Sequence, residues 1–193
     1  MRIIAGKAGR MSIKVPQAVT RPTTDFVRQA MFSILGDLVT GARVADLFAG
    51  SGALGLEALS RGARSCIFVD QSPQAVRVLK ENVQRTELHA ASIVSSDVLT
   101  WLKRDRGSYD LVFADPPYVK SPLDVNWIAR LLQSGDLLAR LADDGIFYAE
   151  ISKQTATPEH ANWTLVDRRH YGSSAILLYR PQQPAVIEAD AIK

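Results

Sequence analysis

A chain of 193 residues, 47% apolar and 22% charged, suits one compact domain with a full core. No apolar run is long enough for a membrane span or a signal peptide, and a single cysteine, Cys66, excludes an internal disulfide and fits a reducing cytosol. Net charge is only +3, yet residues 1–35 hold six basic side chains (Arg2, Lys7, Arg10, Lys14, Arg21, Arg28) against Asp25 alone, which is either chance clustering on a solvated surface or a contact for a polyanion.

In chain order, residues 1–20 read as a short hairpin, with Ile3, Ile4, Ile13 and Val15 as its apolar positions and Gly6 and Gly9 at its turn. "RPTTDFVRQAMFSILGDL" reads as a helix capped by Thr23 or Thr24, with Val27, Ala30, Met31, Ile34 and Leu35 on one face. Strands and helices then alternate. "ARVADLFAG" is a buried strand and "SGALGLEALSRG" a helix closed by Gly62. "SCIFVD" is a strand, and "SPQAVRVLKENVQR" a helix with Ser72 as cap and Pro73 at its first position. "SIVSSD" and "YDLVFAD" are strands around the short helix "VLTWLKRDRG". Residues 123–142 read as largely helical, with Trp127, Leu131, Leu132, Leu138 and Leu141 at core spacing. "GIFYAEI" is a fifth strand, and "WTLVDRRH" and "SSAILLYR" form an antiparallel hairpin around Tyr171 and Gly172. The fold class is therefore α/β: a mixed, mostly parallel seven-stranded sheet covered on both faces, with a loose tail at 181–193.

The first strand–helix turn, "DLFAGSGALG", has Gly50, Gly52 and Gly55 in G-x-G-x-x-G spacing, and Asp70 ends the next strand where a carboxylate can grip ribose hydroxyls. A tight turn without a ligand is the plain alternative, and the same spacing serves nicotinamide dinucleotides. Asp46 favours a cationic ligand, S-adenosyl-L-methionine, because a carboxylate beneath the loop offsets positive charge and sits awkwardly beside a pyrophosphate. Asp97, ending the third strand, either accepts from an adenine amino group or caps the helix that follows. No Gly-Lys-Ser/Thr follows the glycines, so a P-loop is excluded.

"YDLVFADPPYV" ends a buried strand with a carboxylate, a diproline and an aromatic ring. Pro116 and Pro117 hold the backbone extended, so Asp115 and the Pro116 carbonyl stand as stiff acceptors. An exocyclic amine of a nucleobase is a poor nucleophile because its lone pair is delocalised. Two acceptors on its N–H groups favour the pyramidal, reactive nitrogen, and Tyr118 can stack on the base. The plain readings are a strand-end cap for Asp115 and core filling for Tyr118. His89, His160 and His170 are scattered without ligand spacing, so no metal is expected. Tyr171, with Arg168 and Arg169, borders either a nucleic acid or solvent.

Taken together, "RIIAGKAGR", "RPTTDFVRQAMFSIL", "DLFAGSGALGLEALSRGA" and "FADPPY" resemble the bacterial 16S ribosomal RNA guanine-N2 methyltransferase family, across roughly residues 2–180. The resemblance implies a Rossmann-like class I methyltransferase at 21–180, an RNA-contacting hairpin at 1–20 and a target at guanine 966 of 16S RNA in the small ribosomal subunit. It implies cofactor contacts from Asp46, Phe48, Gly50, Ser51, Gly52, Asp70, Gln71, Asp97 and Val98, and target-base contacts from Asp115, Pro116, Pro117 and Tyr118. Lys7, Arg10, Arg21, Thr23 and Thr24 fall to the RNA, although the hairpin lacks the tryptophan expected near Ala8. A cytoplasmic monomer without membrane contact is expected. The rivals are a DNA adenine-N6 methyltransferase, a non-catalytic assembly factor that binds RNA, and a nicotinamide dehydrogenase, for whose separate substrate domain there is little room.

Overall fold

The computed structural model describes residues 1–16, 25–119, 121 and 123–182. Seven strands form one sheet in the order β3-β2-β1-β4-β5-β7-β6. They are β1 (Arg43–Leu47), β2 (Ser65–Asp70), β3 (Ala91–Ser95), β4 (Tyr109–Ala114), β5 (Leu141–Ser152), β6 (Trp163–Tyr171) and β7 (Ser174–Pro181). The first five run parallel, and β7 is antiparallel to both β5 and β6. This is the mixed, mostly parallel seven-stranded sheet expected from the order of strands and helices. The order reverses between β1 and β4, so a crevice opens at their carboxyl ends, where ligands of open α/β sheets bind.

Helices cover both faces. α1 (Asp25–Leu35), α2 (Ala53–Ser60) and α3 (Pro73–Thr86) pack one side around Met31, Leu56, Phe68 and Leu79; α4 (Val98–Arg104), α5 (Trp127–Gln133) and α6 (Gly135–Arg140) pack the other around Trp101, Leu131 and Phe147. α2 is buried all round: its apolar residues join the core, and its two polar ones, Glu57 and Ser60, are bonded to the N-terminal segment. α3 starts as expected: Ser72 Oγ accepts from the Ala75 N–H and Pro73 occupies the first turn.

Four expectations shift. The stretch 123–142 is two short helices, because Ser134 takes an extended conformation and caps α6 through Asp136 N. Leu141 belongs to β5, not to a helix. Trp127 is half-buried rather than core, and its ring packs on Phe48 with centroids 5.4 Å apart. The closing hairpin turns at Gly172 and Ser173, one residue later than expected, and β7 runs to Pro181 in the expected tail.

The N-terminal hairpin is minimal: one antiparallel bridge, Arg2 to Ser12, with Ile3 N donating to Met11 O and Arg10 N to Ile3 O, both at 2.9 Å. Ile3, Ala8 and Ile13 join the core of α1 and α2. The segment is pinned to α2, because the Ile4 and Ala5 N–H groups donate to the buried Glu57 carboxylate and Ala8 N donates to Ser60 Oγ. Gly6 is required here, since a Cβ on it would lie 1.9 Å from the Ser60 carbonyl oxygen. Arg21, Thr23 and Thr24, and residues 183–193 of the tail, lie outside the described residues. Among the described residues no helix is long and apolar enough to cross a membrane.

Candidate active site

The glycine turn after β1 is held from two sides by carboxylates. Beneath it, Asp46 Oδ2 accepts from the Gly55 N–H at 2.9 Å, and the residue is only 2% exposed. Burial pushes its carboxyl group up to about 8; the Gly55 bond works against that rise and the negative charge of Asp70 adds to it. At the rim, Asp70 Oδ2 accepts from Gly50 N and Oδ1 from Ser72 N, both at 2.8 Å, which ties the loop to the start of α3.

The three glycines do different work. Gly50, at φ +54°, would place a Cβ in nearly open space, its nearest neighbour the Phe48 carbonyl oxygen at 3.8 Å. A Cβ on Gly52 would lie 2.3 Å from Leu79 Cδ1, and one on Gly55 would lie 2.3 Å from Phe68 Cε1. Those two permit helix–sheet packing, and Gly50 leaves room for a ligand. Phe48, also left-handed at φ +59°, turns its ring against Trp127, over which the Arg130 guanidinium lies at 5.3 Å. Ser51 is buried, Gln71 is exposed beside Asp70, and Val98 is buried at the start of α4. Asp97 serves as the cap of α4, its Oδ1 accepting from Thr100 N at 2.9 Å.

Asp115 follows β4 directly, across the sheet's switch point from the glycine turn. Pro116 is buried, Pro117 exposed and Tyr118 half-buried. The Tyr118 hydroxyl donates to Glu150 Oε1 at 2.6 Å and lies 2.6 Å from Ser174 Oγ. Glu150, at the end of β5 and 2% exposed, also accepts from the Tyr148 hydroxyl at 3.4 Å. Burial first, and the Glu150 charge second, make both tyrosine hydroxyls much weaker acids than usual. Pro116, Pro117, Tyr118, Trp127 and Glu150 line one small pocket. Among the described residues no group of His, Cys, Asp or Glu is placed to hold a metal ion.

Sequence reasoning missed Glu150, Ser174 and Asn82. Glu150 carries the signal that marked Asp46, Asp70 and Asp115, an acid at the end of an apolar strand. Asn82 carries another, a polar residue in the apolar stripe of α3. Its Nδ2 donates to the carbonyls of Ser51 and Lys14, and its Oδ1 accepts from Lys14 N, so one buried amide couples the glycine turn to the N-terminal segment. Lys7 and Arg10 are exposed on that segment.

Residues 1–180 match the family model described as conserved hypothetical protein 95. YlbH of Bacillus subtilis (strain 168) is 37% identical over 187 residues, covering 93% of this chain and 98% of its own. Ribosomal RNA small subunit methyltransferase D of Escherichia coli (strain K12) is 32% identical over 192 residues, covering 98% of this chain and 94% of its own. In structure, a hypothetical protein of Thermus thermophilus superposes with a TM-score of 0.77 at 35% identity, covering 93% of this chain and 99% of that one.

Proposed function

The chain belongs to the conserved hypothetical protein 95 family, and from that premise and the site's geometry we propose that it methylates the exocyclic N2 amine of a guanine in small-subunit ribosomal RNA, with S-adenosyl-L-methionine as donor. One observation carries the reading: a stiff Asp-Pro-Pro-Tyr segment, its tyrosine pinned by Glu150 and Ser174, stands across the switch point from a glycine turn held by Asp46 and Asp70. The name of the Escherichia coli relative supports ribosomal RNA as substrate.

The residues present fit the cofactor. Gly50 leaves open space beside its backbone, and a buried carboxylate that resists ionisation, Asp46, is relieved by a cationic ligand. Asp70 and Gln71 would hold the ribose side, Ser51, Gly52 and Phe48 the methionine side, and Asp97 and Val98 the adenine. S-adenosyl-L-methionine supplies an electrophilic methyl group on a sulfonium. The chain's own groups do the rest by positioning. Asp115 and the Pro116 carbonyl accept the N–H hydrogens of the amine and localise its lone pair. The diproline removes their freedom to retreat, and Tyr118 fixes the plane of the base. The acceptors act most strongly as the nitrogen gains positive charge, so they favour the transition state over the bound base. Asp115 is also the acceptor for the released proton.

In this reading residues 1–20 extend the methyltransferase body, 21–180, toward the RNA, with Lys7, Arg10, Arg21, Thr23 and Thr24 at the contact. The protein works as a cytoplasmic monomer, and guanine 966 of an assembling small-subunit particle is the expected target. Incubation with methyl-labelled cofactor and particles from cells lacking the gene, followed by nucleoside mass spectrometry, tests it. Label in N2-methylguanosine is expected; label only in adenine, or none in RNA, overturns it.

A further inference from the structure

Phe26, in the first turn of α1, takes no part in the chemistry above, yet the residue is 69% exposed. It meets the Tyr171 ring at 5.9 Å between centroids and 73° between planes. In such an edge-to-face pair one ring keeps both faces clear of the other. Tyr171 closes the β6–β7 hairpin opposite Ser174, and cross-strand partners stand on the same face of a sheet. That face carries Ser174 Oγ, which is 2.6 Å from the Tyr118 hydroxyl. The aromatic pair therefore stands on the sheet face whose Ser174 hydroxyl pins Tyr118, one of the residues assigned to the target base.

Two ion pairs lie beside it. Arg169, opposite Ile176 in the same ladder, bonds Asp167 at 2.7 Å and has Tyr171 as a second polar neighbour. Arg2 lies 3.3 Å from Asp25, the residue before Phe26. Exposed flat aromatic surface beside polar, ion-paired side chains matches unpaired nucleic acid, which offers π faces for stacking. It suits a protein partner less well, since the neighbouring surface is charged rather than apolar.

We propose that Phe26 and Tyr171 form a stacking platform for an unpaired nucleotide adjacent to the target guanine. The proposal rests on the reading of the chain as an RNA methyltransferase. A target base drawn out of its stack leaves its neighbour's face uncovered. The platform covers that face and so holds the strand in register with Asp115 and Tyr118.

The test uses the full chain and a protein-free ribosomal RNA fragment with 2-aminopurine beside the target guanine. Phe26→Leu keeps apolar bulk and removes the ring; Phe26→Trp keeps a ring. Because Phe26 is exposed, both variants should melt like the parent. Phe26→Leu should weaken RNA binding about five- to a hundredfold and change the 2-aminopurine fluorescence of the complex, as expected for one lost stacked base. Phe26→Trp should restore both, and calorimetric binding of S-adenosylhomocysteine should not change in either. Wild-type affinity and fluorescence in Phe26→Leu overturn the platform. So does a loss seen on ribosomal particles but not on protein-free RNA, which would mark a protein contact. A parent chain that methylates RNA while Phe26→Leu binds normally refutes the platform alone. A parent that methylates neither protein-free RNA nor ribosomal particles refutes the proposed function with it.

Discussion

Asp46 combines nearly complete burial with a carboxyl group held protonated up to about 8, against an ordinary value of 3.8. Between those values the native chain keeps a proton that the unfolded chain has released, so the Asp46 contribution to stability falls as pH rises from about 4 to about 8 and is flat above that. Asp46→Asn can still accept from the Gly55 N–H through its amide oxygen. Urea midpoints from pH 5 to 9 should then decline in the parent and lose that component in the variant; parallel curves would refute the assignment. Tyr118 gives a second expectation. Tyr118→Phe removes the 2.6 Å donor to a buried carboxylate, leaving Glu150 with one partner fewer, and should cost about 1–3 kcal/mol in chemical denaturation. Asp115→Asn speaks to chemistry instead. If the carboxylate acts on the developing charge, single-turnover methyl transfer should fall by about 10²–10³-fold, and cofactor affinity measured by calorimetry should stay close to that of the parent.

Among the elements, the glycine turn separates packing from binding within six residues of chain. Gly55→Ala drives a Cβ to 2.3 Å from Phe68 and 2.6 Å from Cys66, an overpacking that should cost about 1–3 kcal/mol in thermal or urea unfolding. Gly50→Ala meets open space and carries only the strain of a left-handed alanine, about 1–2 kcal/mol, but it should weaken cofactor binding more than Gly55→Ala does. Equal cofactor affinity in the two variants would count against Gly50 as the open face of the loop. The turn itself was legible because strand, glycines and helix follow one another without interruption. Ser72-Pro73 was legible for the same local reason, a cap and a proline at fixed offsets. The break between α5 and α6 was not, since leucines run past Ser134 at helical spacing and Leu141 continues that spacing into β5. Nor were the bonds from Glu57, Ser60 and Asn82 to the N-terminal segment, which join residues 52 to 68 positions apart. Only the presence of polar side chains in buried helix faces hinted at them. The Tyr118–Glu150–Ser174 cluster was half legible: a strand-ending acid is visible in "IFYAE", but a partner 32 residues from Tyr118 is fixed by the β4–β5 pairing.

For the molecule as a whole, a net charge of +3 understates what an RNA would meet. Within the described part of the basic N-terminal stretch, Arg2 and Arg28 pair with Asp25 and Lys14 pairs with Glu81, whereas Lys7 and Arg10 are exposed with no ion pair among the described residues. They also stand on a segment fixed to the body, with Lys7 N donating to the Ser60 carbonyl at 2.8 Å and Arg10 N to Ile3 O at 2.9 Å. A phosphate contact made from a fixed backbone spends little on ordering the chain, so the gain from releasing counterions is kept nearly whole. Each contact of this kind should contribute about 0.7–0.9 to the slope of log affinity against log salt. Lys7→Ala and Arg10→Ala should therefore each flatten that slope by about this amount, and the double variant by about twice as much. Lys14→Ala, whose charge already has a partner in Glu81, should change it less. Fluorescence anisotropy with a ribosomal RNA fragment over a range of salt concentrations reads all four. Stacking at Phe26 adds affinity without charge, so Phe26→Leu should lower the whole line and leave its slope intact. A slope untouched by Lys7→Ala and Arg10→Ala would remove the N-terminal segment from the interface and shift the polyanion contact to the β6–β7 side of the sheet, where Arg168 and Arg169 are exposed.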